Sequence, residues 1–215
     1  MIGSHSKVLL VEGKQDLRVI PELIEANGVP WGTKKNPIVF IRDYDGYPNL
    51  VNSDVLQAEL QASGLSSLGI VIDADENASQ RWASLRNAAS RLIPDLPISL
   101  PKNGLIHNTA KGVAFGVWIM PDNNTSGMLE TFLSYLIRDD CLDIWNLAKT
   151  SATAAQKSGA IFSDAHKIKA EIYTWLAWQN PPGRQLHQAV MERILDPSHN
   201  LGASFIKWFR DLYSV

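Results

Sequence analysis

Leu68-Gly69-Ile70-Val71-Ile72-Asp73-Ala74-Asp75 decides the fold. A continuous apolar run, rich in β-branched residues, enters a pair of carboxylates, and helical spacing follows from about Ser79 to Leu92. Such a run without polar alternation is the pattern of a strand covered on both faces, as parallel strands between helix layers are. The same order of elements stands upstream. Lys7-Val8-Leu9-Leu10-Val11 reads as a strand and Glu12-Gly13 as a tight turn. Asp16 to Asn27 then reads as a helix, because Leu17, Ile20, Leu23 and Ile24 recur at three- and four-residue steps before the stop signal Asn27-Gly28. Pro37 to Arg42 reads as a further strand, Asp43 to Pro48 as a turn-rich link, and Asp54 to Ala62 as a helix ended by Gly64. Three strand-helix alternations predict right-handed crossovers and a parallel sheet flanked by helices.

Beyond Pro94-Asp95-Leu96-Pro97 the pattern changes. Gly104 to Thr109 and Gly112 to Met120 read as a β-hairpin that extends the sheet. From Ser126 the chain reads as mainly helical, over Met128 to Ile137, Leu142 to Lys149, His166 to Trp178, Leu186 to Ile194 and Ala203 to Leu212. Pro181-Pro182-Gly183 and Asp196-Pro197 divide these pieces. The expected organisation is an α/β domain over residues 7–130, with a helical C-terminal region over 131–215 packed on it. Trp118, Trp145, Trp175, Trp178 and Trp208 have the chemistry to stack bases. The three-residue step from Trp175 to Trp178, beside Ile172 and Leu176, instead suits a core-facing stripe.

Composition narrows the classes. With 215 residues, 45% hydrophobic and 20% charged, the chain can bury a core without disulfides. A net charge of -2 excludes a strongly basic nucleic-acid module, so any such contact must be local or assisted by a metal or a partner. Cys141 is the single cysteine, which rules out an internal disulfide and a Cys-rich zinc site and reads as a buried structural thiol. No apolar run approaches the ~20 residues of a membrane-spanning helix. Met1 to Lys7 lack a hydrophobic signal region, so a cytoplasmic location is expected. His107, His166, His187 and His199 show no metal spacing, and there is no phosphate loop for ATP hydrolysis.

The acids at the strand ends carry the chemistry. In an open α/β sheet the carboxyl ends of the strands form the crevice where ligands sit. Adjacent strands lie ~4.8 Å apart, so Glu12 from one end and Asp73 and Asp75 from another can converge on one small ion. Alternation along an extended chain puts Asp73 and Asp75 on one side. Gathered carboxylates repel one another, a divalent cation relieves the repulsion, and an all-oxygen donor set selects Mg²⁺ or Mn²⁺. The competing reading of Glu12 and Asp75 is helix capping.

Val11-Glu12-Gly13-x-x-Asp16 after one apolar strand, and Val71-Ile72-Asp73-Ala74-Asp75 after another, resemble the Toprim signature of topoisomerases, bacterial primases, recombination-mediator proteins and OLD-family nucleases. The resemblance covers roughly residues 7–130 and is nearest to small stand-alone Toprim-like proteins. It implies a Toprim-like Rossmannoid sheet and a Mg²⁺- or Mn²⁺-dependent site for phosphodiester hydrolysis or phosphoryl transfer on DNA or RNA. By position it implies Glu12, Asp73 and Asp75 as metal-holding catalytic residues, with Asp16 as a further ligand. A two-metal scheme needs additional oxygens, which Asp122 and Glu130 are placed to supply. Lys14, Lys102 and Lys111 are candidates to neutralise phosphate charge. A topoisomerase or complete primase is not expected, because the accompanying tyrosine-bearing domains and zinc-ribbon cysteines are missing.

Two rival readings stand beside the nuclease. One is a non-catalytic or partner-dependent module working with a separate ATPase in defence or repair, which the near-neutral charge favours. The other is a receiver-like domain with acids around Mg²⁺, against which Lys102 is poorly placed.

Overall fold

The structure, a computed structural model, describes residues 5–215; the reading of Met1 to Ser4 as free of a signal region lies outside them. In chain order it contains β1 (Lys7–Val11), α1 (Lys14–Ala26), a small ladder of β2 (Gly32–Thr33) and β3 (Asn36–Pro37), and β4 (Phe40–Asp43). The one-turn α2 (Tyr47–Leu50), α3 (Ser53–Leu60), β5 (Ser67–Asp73), α4 (Ala78–Ala89), β6 (Leu105–Asn108) and β7 (Ala114–Met120) follow. The chain ends with α5 (Leu129–Ser134), α6 (Leu142–Lys157), α7 (Lys167–Ala177), α8 (Leu186–Met191) and α9 (Ala203–Tyr213).

The main sheet has the order β4-β1-β5-β7-β6, with β6 as its antiparallel edge and the other pairings parallel. It is the α/β fold expected, hairpin extension and helical C-terminal region included. Strand alternation sorts the side chains into two layers. Val8, Leu10, Leu68, Ile70, Ile72, Val117 and Ile119 pack against α3 and α4 through Leu56, Trp82 and Leu85. Leu9, Val11, Val71, Trp118 and Met120 face the other way, into a core shared by α1 and the C-terminal helices.

The approach of α9 to that second face depends on two glycines. Gly69 and Gly116 are register partners at the centre of the sheet, beside Leu9. A methyl group on Gly69 would meet the Tyr213 hydroxyl and the Leu212 side chain, and one on Gly116 would meet Leu212. Their bare backbone lets the helix seat against the strands, and the Tyr213 hydroxyl then donates to the Val8 carbonyl at 2.7 Å.

Several expectations are corrected. The second strand starts at Phe40, not Pro37. Pro37 has no N–H for a ladder and belongs instead to the two-residue pairing with Gly32 and Thr33. Helix α6 runs to Lys157, beyond the expected Lys149, because Ala148 and Ala152 continue its buried face. Trp118, Trp145, Trp175 and Trp208 are core residues, but Trp178 is 43% exposed: it is the residue at which α7 ends, so its ring leaves the stripe. Cys141 is half-buried, with its thiol 3.5 Å from the Asp140 carboxylate, rather than enclosed. No helix among the described residues is long and apolar enough to cross a membrane.

Candidate metal and phosphate site

The parallel register sets the site. Val11 pairs with Val71, so β1 and β5 reach the same sheet edge together, and β7 joins them where Asp73 pairs with Met120. Glu12 follows β1 directly, and its Oε1 accepts the Asp73 N–H at 2.9 Å, which joins the two strand ends through the first candidate ligand. Asp73 in turn accepts the Leu129 N–H at 2.9 Å through Oδ1, so it caps the start of α5. Asp16, in the first turn of α1, accepts the Gly13 N–H at 3.2 Å and is buried. Glu130, the second residue of α5, is buried and lies 3.7 Å from the Lys169 ammonium of α7.

The charges of these acids act on one another. Burial pushes the Asp73 carboxyl well above the usual carboxylate range, and Asp16, Glu12 and Glu130 push it further. Asp16 is raised from 3.8 to about 7 by burial and by the charges of Glu12 and Glu130. Glu12 is raised by burial, against the hydrogen bond from Asp73 and the charge of Arg81. Burial and mutual repulsion thus raise the proton affinity of Glu12, Asp16 and Asp73, which come from the ends of β1 and β5 and the first turn of α1, with the Glu130 charge of α5 acting on Asp16 and Asp73.

Asp75 departs from the expected arrangement. Continued alternation would set it beside Asp73, but the strand ends at Asp73 and Asp75 has a φ of 49°, in the left-handed region. Reciprocal backbone hydrogen bonds with Gly127, at 2.8 and 2.7 Å, hold that turn. The carboxylate is consequently exposed and paired with Arg81 of α4, whose guanidinium also lies 3.8 Å from the centroid of the Tyr47 ring. Asp122 is likewise engaged locally. Its Oδ1 accepts the N–H groups of Asn124 and Thr125 at 3.0 and 2.7 Å, so its carboxylate shapes the loop after β7. Among the described residues, no three His, Cys, Asp or Glu side chains converge on a single point as they stand. Glu12, Asp16 and Asp73 each turn one oxygen to a backbone amide, and Asp75 is held by Arg81.

The lysines divide. Lys14 opens α1 and is exposed at the acidic edge, and the Lys102 carbonyl accepts from the Asn123 side chain at 3.1 Å, which places that backbone at the same edge. Lys111 sits in the β6–β7 turn beside Ala114, which pairs with Ser67 at the start of β5. That is the opposite edge of the sheet, and Lys111 is removed from the phosphate role. Two cations escaped the sequence reading. Arg81 and Lys169 reach the acids from α4 and α7, and nothing in their local sequence marks them, because the reach is set by helix packing.

A cleft of ≈ 1060 Å³ with a mixed polar and apolar lining opens beside Asp75, bounded by Arg81, Ser126, Thr131, Asp164, His166 and Ile168. The cleft meets the acidic edge at Asp75.

An α/β chain with carboxylates gathered at the carboxyl ends of adjacent parallel strands is the class these observations define. Within it, a family model described as "Protein of unknown function (DUF3226)" matches residues 6–214, and the chain belongs to that family. No curated protein matches the sequence. Among solved structures, the C-terminal region of the Burkholderia pseudomallei OLD protein is similar over 97% of this chain and 98% of that one, at 12% identity and a TM-score of 0.51. The C-terminal region of the Xanthomonas campestris pv. campestris OLD protein aligns over 97% of this chain and 96% of that one, at 15% identity and a TM-score of 0.47. The Burkholderia likeness shows the fold. It agrees with the sequence resemblance to a family that includes OLD proteins, and it extends across the helical C-terminal region.

Proposed function

We propose that this chain is a Mg²⁺- or Mn²⁺-dependent Toprim-like nuclease or nucleic-acid phosphoryl-transfer enzyme. The observation that carries the reading is the hydrogen-bonded junction of Glu12 and Asp73, both half-buried, beside the buried Asp16 and Glu130 at the carboxyl ends of the parallel strands. The donor set fits a hard cation: every candidate atom is a carboxylate oxygen, and burial and mutual repulsion raise Glu12, Asp16 and Asp73 above their ordinary carboxylate values. Glu12 and Asp73 would hold the ion, with Asp16, Glu130 and a reoriented Asp75 completing or supporting its shell. Bound there, the cation supplies a lowered pKa for an attacking water and charge neutralisation on a phosphodiester. The chain's own residues then orient and exclude. Lys169 balances Glu130, the α5 cap keeps Asp73 in place, and the cleft beside Asp75 admits the nucleic-acid strand.

Purified protein incubated with plasmid DNA or single-stranded RNA and Mn²⁺ or Mg²⁺ is expected to cleave one of them, and a chelator is expected to stop the cutting. No cleavage of either under any metal condition contradicts an enzyme active by itself. A second reading, a module that acts with a separate ATPase, draws support from the net charge of -2 and from a cleft whose acids Asp75, Glu76 and Asp164 keep it from being a basic nucleic-acid surface. Cleavage that begins only when an ATPase partner is added would favour it.

A further inference from the structure

The third signature acid is not free in this structure, and its partner explains why. Asp75 has a backbone fixed on both sides by Gly127 and held at a φ of 49°, a conformation that Asp adopts more readily than most residues but still at some cost. Its side chain is 44% exposed and is therefore the movable part. Arg81, in the second turn of α4, brings its guanidinium onto that carboxylate while its other face stacks on Tyr47. Arg81 also lies close enough to Glu12 for each to stabilise the other's charge. One guanidinium thus pairs with Asp75 directly and acts on the Glu12 charge at longer range, the two charges that a shared cation would neutralise. The pair is partly solvated, so separating it costs little compared with what a divalent ion gains from another carboxylate.

We infer that the Arg81–Asp75 ion pair is an exchangeable latch: Arg81 occupies Asp75 until a divalent cation takes the carboxylate, and the released guanidinium then faces the cleft as a binding group for a phosphate of the substrate strand. The inference rests on the metal-dependent reading above and adds to it a residue and an order of events. A planar guanidinium anchored on an aromatic ring suits phosphate, which it can engage through two parallel N–H groups. Arg81 and Asp75 line the same cleft, so the freed group needs only a side-chain rotation to reach a strand lying there.

Calorimetric titration of Mn²⁺ into four proteins tests this: the wild type, Arg81→Ala, Asp75→Asn and the double variant. A latch closed most of the time lowers apparent metal affinity by the fraction of open molecules, so Arg81→Ala is expected to bind Mn²⁺ about tenfold more tightly. In the Asp75→Asn background the same change should have a much smaller effect, because no latch remains, whereas a general loss of positive charge would act equally in both backgrounds. At saturating Mn²⁺, Arg81→Ala should nevertheless raise KM for the nucleic-acid strand, and Arg81→Lys should recover only part of that loss. Wild-type uptake of Mn²⁺ with unchanged affinity in Arg81→Ala, or an equal gain in both backgrounds, overturns the latch alone. No Mn²⁺ uptake by any of the four removes the metal-dependent reading and the latch together.

Discussion

Asp73→Asn is expected to lower metal-dependent cleavage by at least ~100-fold while leaving the fold intact. Asp73 is the residue on which the site converges: its N–H holds Glu12, its Oδ1 holds the start of α5, and three other acids act on its charge. Asparagine keeps an acceptor for the Leu129 N–H and keeps the backbone donor to Glu12. What it removes is the charge a divalent cation needs. Circular dichroism and thermal unfolding should match or exceed those of the wild type, so lost cleavage will report on ligation and not on unfolding. Asp122→Asn is the informative comparison. Its carboxylate serves its own loop, and that variant should retain cleavage within a few-fold. Equal activity in Asp73→Asn and the wild type would remove the metal site from Asp73.

The second large effect concerns stability and its dependence on pH. Asp16 binds its proton until about 7 in the folded chain, whereas an unfolded aspartate releases it near 3.8. Between those values the folded state holds more protons than the unfolded state, so stability falls as pH rises through the window and levels off above it. The difference corresponds to a cost of at most ~4 kcal/mol at neutral pH. Asp16→Asn removes that cost and retains an acceptor for the Gly13 N–H. At pH 8 the variant is therefore expected to melt roughly 5–10 °C above the wild type, with the gap closing toward pH 4. Saturating Mg²⁺ should raise the wild-type melting temperature at pH 8 and do much less for Asp16→Asn. A variant that melts lower than the wild type at pH 8 would show that the Asp16 charge stabilises the fold, contrary to its placement among Glu12, Asp73 and Glu130.

The fold was legible because its signals are local. Apolar runs such as Leu68 to Ile72 mark buried parallel strands wherever they occur, and the Leu17, Ile20, Leu23, Ile24 spacing marks a helix with one buried face. The nearness of Glu12 and Asp73 was legible for the same reason, since adjacent parallel strands bring their ends to one edge. Asp75 was misplaced because two-residue alternation holds only while the strand lasts, and the chain turns immediately after Asp73. The start of β4 was misjudged at Pro37, which lacks the N–H that a ladder requires. Arg81 and Lys169 were invisible because their meaning lies in where α4 and α7 pack, and side-chain reach across elements leaves no periodic trace. The glycine pair Gly69 and Gly116 is intermediate: each interrupts an apolar strand, but only the seat of Leu212 and Tyr213 of α9 explains why.

Crystals grown with saturating Mn²⁺ and measured at a wavelength where manganese scatters anomalously would locate the ion. The expected result is an anomalous peak at the ends of β1 and β5, within roughly 2.0–2.6 Å of carboxylate oxygens of Glu12 and Asp73, the range of hard-cation ligation, with Asp75 turned away from Arg81. A well-diffracting crystal with no peak there, in which Arg81 still holds Asp75, would contradict the claim that these acids are gathered to bind a metal.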